Sequence, residues 1–174
     1  MLIENLKNEE LLKDFIKESC EDEGICIAIE EGVEKVDLLV IKPDEYYNSL
    51  KIEKRPASVD CMVIQRCKEN HFHIYLIELK NVKNLRGVKK EKDNLREKFE
   101  TCLMDFIRGR FREHFVKEEF EITFKLRLVA GKITDTVVKR HSLKFLMQIP
   151  PFQYFGKFLA IDGYPTDYII PKCF

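Results

Sequence analysis
The chain has 174 residues, 45 % hydrophobic and 34 % charged, and its 30 basic and 30 acidic side chains cancel to a net charge of zero. That length is one domain's worth with enough apolar material for a substantial core. A zero net charge excludes whole-molecule attraction to a polyanion, so any nucleic-acid binding would rest on local patches. No apolar run approaches the roughly 20 residues of a membrane span.

The mixed, acidic start, MLIENLKNEELLKDF, is unlike a secretory signal and sets the expectation of a cytoplasmic protein. Asn8 can cap a helix running to about Cys20, with Leu11, Leu12, Phe15 and Ile16 as its apolar stripe and Glu9 and Glu10 suiting the helix dipole. Ile25–Ile29 and Val36–Ile41 flank an acidic, Gly-containing turn at Glu30–Glu34, which predicts a hairpin. Pro43 ends the second run because proline cannot donate to a ladder. Asp44–Lys51 then reads as a loop or short helical excursion, and Glu53-Lys54-Arg55-Pro56 as a charged loop.

Val59–Lys80 is the organising stretch. Two apolar, β-branched runs, Val59–Cys67 and Phe72–Lys80, flank a polar Lys68-Glu69-Asn70 break, so the pattern predicts a hairpin. A turn centred near Glu69 sets Asp60 opposite Glu78, at about 4.5–5.5 Å between Cβ atoms. Lys80 shares their face by the period-2 rule. Met62, Ile64, Ile74 and Leu76 lie on that face, and Cys61, Val63, Tyr75 and Ile77 on the other. Both are apolar, so the pair is expected to be covered on both sides. Two converging acids raise each other's pKa unless a cation lies between them, and carboxylates with a carbonyl suit Mg²⁺ or Mn²⁺.

Beyond the hairpin, Lys80–Lys92 carries a one-sided basic patch of Lys83, Arg86, Lys89 and Lys90. A helix is predicted from about Val88 to Phe115, its core stripe running Leu95, Phe99, Cys102, Leu103, Phe106, Ile107, Phe111, Phe115. Its other faces, Lys98 among them, read largely as salt-bridged and solvated. Phe120–Ala130 alternates as a half-buried strand ending at Gly131. Thr134 can cap a short helix towards Leu143, Pro150-Pro151 breaks regular structure, and Tyr154–Ile161 reads as one late strand. The aromatic tail to Phe174 must pack on its own domain or in a homodimer interface, and the sequence leaves both open.

The six cysteines form no C-x-x-C pair, which gives a zinc ribbon or iron–sulfur cluster little support. Cys61 and Cys67 in a strand and Cys102 on an apolar helix face are expected to be buried free thiols. His71 and His73 flank a turn with no third ligand nearby and are expected at the surface.

Asp60 at a strand start, Glu78-Leu79-Lys80 at the end of the next strand and a basic helix close behind resemble the PD-(D/E)XK nucleases. The resemblance covers roughly residues 36–131. The literal Pro-Asp is displaced: Pro56 precedes Asp60 by four positions, and the Pro43-Asp44 dipeptide is set aside for its poor spacing to an E-x-K. The resemblance implies an α/β domain with a central mixed β-sheet flanked by helices and a restriction-endonuclease-like core, one domain over 1–174 with its core at about 8–131 and an extension at about 132–174. It implies a metal-dependent DNA endonuclease with Asp60, Glu78 and Lys80 as catalytic residues. Mg²⁺ or Mn²⁺ would sit on Asp60, Glu78 and the Leu79 main-chain carbonyl, with Glu18 or Glu53 as an extra acid. Lys54, Arg55, Lys83, Arg86, Lys89 and Lys90 would meet the DNA backbone. A strand-end salt bridge, or a silent nuclease-like module that binds nucleic acid or protein, fits the same residues.

Overall fold
The structure, a computed structural model, describes residues 1–81, 92–131, 144–164 and 168–173. The patch residues Lys83, Arg86, Lys89 and Lys90, the start of the predicted helix at Val88 and the predicted Thr134–Leu143 helix lie outside these residues.

Helix α1 (Leu2–Lys7) buries Leu2, Ile3 and Leu6, and Asn8 stands at its C-terminal end. The expected helix from Asn8 to Cys20 is therefore overturned. Turns and a short 3-10 segment lead instead into β1 (Ile16–Lys17), whose backbone pairs with a sheet edge, and Leu11 is exposed. The ladder available to Ile16 outweighs a weak local helix preference. β2 (Glu21–Asp22) and β3 (Ile25–Cys26) form a small hairpin, and β4 (Ala28–Ile29) pairs elsewhere. The expected hairpin of Ile25–Ile29 with Val36–Ile41 is thus absent: β5 (Leu38–Ile41) pairs with β1 and β6. Helix α2 (Pro43–Ser49) follows, with Pro43 in its first turn, where a missing N–H costs nothing.

β6 (Cys61–Lys68) and β7 (His71–Asn81) form the predicted hairpin in the predicted register, Cys61 opposite Ile77 through Arg66 opposite Phe72. Asn70, at φ 61°, takes the left-handed conformation in the turn, which asparagine tolerates. Helix α3 (Lys92–Glu100) runs into a π-helical stretch, Thr101–Arg110, and then α4 (Arg112–Phe115). The wider turn is visible where Phe111 N–H donates to Phe106 O at 3.0 Å, and the whole predicted stripe from Leu95 to Phe115 is buried.

β8 (Glu121–Gly131) runs parallel to β7 and is half-buried only over its first part; Leu128–Gly131 are fully buried. The predicted single strand Tyr154–Ile161 is instead three elements. β9 (Phe152–Tyr154) and β10 (Lys157–Leu159) make a hairpin turning at Phe155 and Gly156, both at positive φ, and β11 (Ile161–Tyr164) joins β8 in parallel. β12 (Ile169–Ile170) pairs in parallel with β4.

The result is a mixed α/β fold around a six-stranded mixed sheet ordered β1-β5-β6-β7-β8-β11. Its two faces match the predicted partition. Met62, Ile64, Ile74 and Leu76 pack with the buried residues of all four helices. Cys61, Val63, Tyr75 and Ile77 pack with Ile25, Ile27, Tyr168 and Ile170. Each buried Val, Ile, Leu or Met side chain among them contributes about 1.5–3 kcal/mol. Among the described residues the helices therefore line one face only, and the N-terminal ribbon and C-terminal tail cover the other. The tail packs on its own sheet. No helix of the described residues is long and apolar enough to cross a membrane.

The cysteines also depart from expectation. Cys61 and Cys67 are not free thiols: Cys20–Cys61 and Cys67–Cys173 are disulfides, while Cys102 is a buried free thiol and Cys26 an exposed one. The partners come from distant segments that meet only in the folded chain, so spacing along the chain could not reveal them.

Candidate functional site
The hairpin register brings Asp60, Glu78 and Lys80 together at the end of the sheet. Asp60 stands one residue before β6 and is 6 % exposed; Glu78, between β6 and β8, has no exposed surface. Asp60 Oδ2 accepts the main-chain N–H of Leu79 at 2.6 Å, which fixes the carboxylate against the strand carrying Glu78. Leu79 thus serves the cluster through its N–H.

Glu78 Oε1 accepts from Lys98 Nζ at 2.6 Å and lies 3.2 Å from Lys80 Nζ. Glu78 Oε2 is buried with no hydrogen-bond partner among the described residues. Burial, with repulsion from Asp60 added, pushes the Glu78 carboxyl up to about 7 against the pull of the two lysines. Burial also raises Asp60, with Asp22 adding to it and the Leu79 hydrogen bond and Lys98 opposing it.

Three participants lie outside the expected site set. Asp44, in the first turn of α2, has a buried Oδ1 with no hydrogen-bond partner among the described residues, and burial pushes its carboxyl up to about 6, with Lys42 opposing and Asp60 contributing. Lys42, 5 % exposed, donates to Glu21 O at 3.0 Å and lies 3.9 Å from Cys61 Sγ. Lys98 reaches Glu78 from α3. The Cys102 thiol, one helical turn on, is pushed up to about 12 by burial, with the nearby charges of Glu78 and Asp44 adding to the shift. The usable signals were Pro43-Asp44, and the position of Lys98 four residues before a core cysteine on the same helix face.

The other predicted residues lie apart. Glu18 is exposed; the β1–β5 register, with Lys17 opposite Val40, carries it away from the Ile41–Met62 end of the sheet where Asp60 lies. Glu53, Lys54 and Arg55 are exposed in the loop before Asp60. His71 and His73 are half-buried rather than at the surface, and His73 does have sulfur neighbours, Cys67 and Cys173.

Chemically, the three acids offer hard oxygen donors, the type of ligand Mg²⁺ and Mn²⁺ take, and two of these oxygens have no hydrogen-bond partner among the described residues. Asp44, Asp60 and Glu78 are not, however, among the trios whose ligand atoms all lie within 4.8 Å of one another. Lysines hold the cluster in its present form. No protein-family model, no curated protein and no solved structure matches this chain.

Proposed function
We propose that this cluster is the active site of a metal-dependent endonuclease that hydrolyses DNA phosphodiester bonds, as its resemblance to the PD-(D/E)XK nucleases implies. The observation that carries the reading is Glu78. It is a fully buried carboxylate beside Asp60, with one oxygen held by two ammonium groups and the other orphaned. A buried acid so placed is costly for packing alone, so a cation-binding role explains its presence. A helix ahead of the sheet, the hairpin with both acids, a second helical stretch and a further strand also follow in the order a restriction-endonuclease-like core implies.

Asp60, Glu78 and Asp44 would hold the ion, which when bound lowers the pKa of a water and offsets charge on the attacked phosphate. The Leu79 N–H keeps Asp60 oriented. Lys80, as an ammonium, would orient the attacking water and offset the charge that develops on the phosphate, and Lys98 neutralises Glu78 while no cation is present. A second reading, a catalytically silent nucleic-acid- or protein-binding module, is favoured by one observation: Lys98 at 2.6 Å already supplies an internal cation to Glu78.

Calorimetric titration of Mg²⁺ and Mn²⁺, with and without duplex DNA, separates the two. Binding lost in both Asp60→Ala and Glu78→Ala, with metal-dependent DNA cleavage that falls about 100-fold or more in Lys80→Ala, is expected of the nuclease. No binding and no cleavage with DNA present would leave the silent module.

A further inference from the structure
The β6–β7 hairpin has a second polar cluster at its other end, roughly 20 Å along the strands from Asp60. Arg66 pairs with Phe72 and Lys68 with His71, so Cys67 is the extra residue of a bulge. Bulges re-aim side chains, and here Cys67 is turned to meet Cys173 of the C-terminal tail. Cys173 Sγ lies 3.6 Å from His73 Nδ1, and one ligand atom from each of Cys67, His73 and Cys173 lies within 4.8 Å of the other two.

A tetrahedral zinc ion, with Zn–S of about 2.3 Å and Zn–N of about 2.0–2.1 Å, has sulfur-to-nitrogen edges of about 3.6 Å. The His73–Cys173 edge already has that length. The tail does not depend on its disulfide for position: Ile170 is buried in the ladder with β4, Gln65 Nε2 donates to Pro171 O at 3.1 Å, and Lys172 N–H donates to Glu30 Oε2 at 2.6 Å. Parting the two sulfurs therefore leaves all three ligands nearly in place. A cavity of about 170 Å³, lined by Asp37, Gln65, Arg66, Cys67 and Cys173 among others, gives an entry route.

We propose that Cys67 Sγ, Cys173 Sγ and His73 Nδ1 form a site for a thiophilic divalent ion of the zinc class, filled when the Cys67–Cys173 disulfide is reduced, with the fourth position open to this cavity. The donor set is soft and does not compete for Mg²⁺. In the reduction two thiols of a small-molecule or protein reductant pass two electrons and two protons to the Cys67–Cys173 bond and leave as their own disulfide. The incoming ion then displaces the protons of the two new thiols. Lys125 Nζ, now 3.2 Å from His73 Nδ1 and 3.4 Å from the Tyr75 hydroxyl, gives up the imidazole and stays beside the thiolates as a counter-charge.

The test uses the full chain, stripped of metal, reduced with a phosphine and titrated with Co²⁺ as the optical probe. Expected are thiolate-to-cobalt charge-transfer bands saturating at one ion per chain, displaced by Zn²⁺, absent in the unreduced chain and lost in Cys173→Ser. His73→Gln is expected to weaken Co²⁺ binding at least 10-fold. Cys173 is only half-buried and lies outside both core clusters, so Cys173→Ser keeps its core, which circular dichroism verifies. As a second measurement on wild type, Zn²⁺ should shield Cys67 and Cys173, but not Cys26, from iodoacetamide. No bands in the reduced wild type, bands that persist in Cys173→Ser, or shielding that fails at Cys67 and Cys173 would each overturn the proposal.

Discussion
Glu78 carries a charge where the fold exposes no surface, and its neighbours decide how that charge behaves. Burial and Asp60 lift its folded-state pKa to about 7, while the unfolded chain keeps a value near 4.5. Below about pH 4.5 both states are protonated and the contribution to stability is complete. As pH rises towards 7 the unfolded chain has released a proton that the folded chain retains, so stability falls, by up to about 3 kcal/mol. Urea unfolding of the metal-free protein should therefore show lower stability at pH 8 than at pH 5, and Glu78→Gln should flatten that difference. Lys98→Met should sharpen it. Removing the 2.6 Å partner leaves a buried carboxylate with Lys80 at 3.2 Å, costing about 3–5 kcal/mol at pH 8 and far less at pH 5, where Glu78 is neutral. An equal loss at both pH values would mean that Lys98 acts through packing alone.

At the scale of elements, what the sequence disclosed and what it hid divide by range. The β6–β7 register followed from one polar break and period-2 alternation, and it placed Asp60 beside Glu78 and assigned both apolar faces correctly. The helical stripe is legible too, although the five-residue step from Phe106 to Phe111, closed by a π-type hydrogen bond, has no signature in the sequence that separates it from ordinary helix. Hidden were contacts between distant segments. Ile16 pairs with Ile41 where a helix was expected, Asp44 reaches the site from α2, and Lys98 turns inward from a face that reads as solvated. Gly131 belongs to this hidden class. The sequence marks it only as a strand end, yet a Cβ there would lie 2.8 Å from both Cγ1 and Cδ1 of Ile25, which crosses from β3. Gly131→Ala should cost about 1–3 kcal/mol in urea unfolding. In the double variant with Ile25→Ala the losses should sum to less than the two singles, because the smaller side chain removes the clash. Additive losses would show that Ile25 moves aside without cost.

Across the whole molecule, the helices of the described residues cover one face of the sheet and the N-terminal ribbon and C-terminal tail cover the other, each carrying one half of a disulfide to β6. Cys20–Cys61 spans 41 positions and Cys67–Cys173 spans 106. Loop-closure entropy alone gives upper values of about 4 and about 5 kcal/mol for them, and typical measured losses are about 2–4 kcal/mol. The two bonds stand at opposite ends of β6, so their removal should have different consequences. Cys61 is next to Asp60, and its sulfur lies 3.9 Å from Lys42 Nζ, whose charge acts on both Asp60 and Asp44. Cys20→Ser should lower the urea midpoint and also change the pH dependence of stability set by the carboxylate cluster. Cys173→Ser should lower the midpoint and leave that pH dependence unchanged, since the bond it removes lies at the far end of β6 and the tail keeps its own hydrogen bonds through Pro171 and Lys172. Measured side by side at pH 5 and pH 8, the two variants test whether the carboxylate cluster is mechanically separate from the tail. A shifted pH dependence in Cys173→Ser would mean that β6 transmits strain along its length, and that the two ends of the hairpin act as one unit.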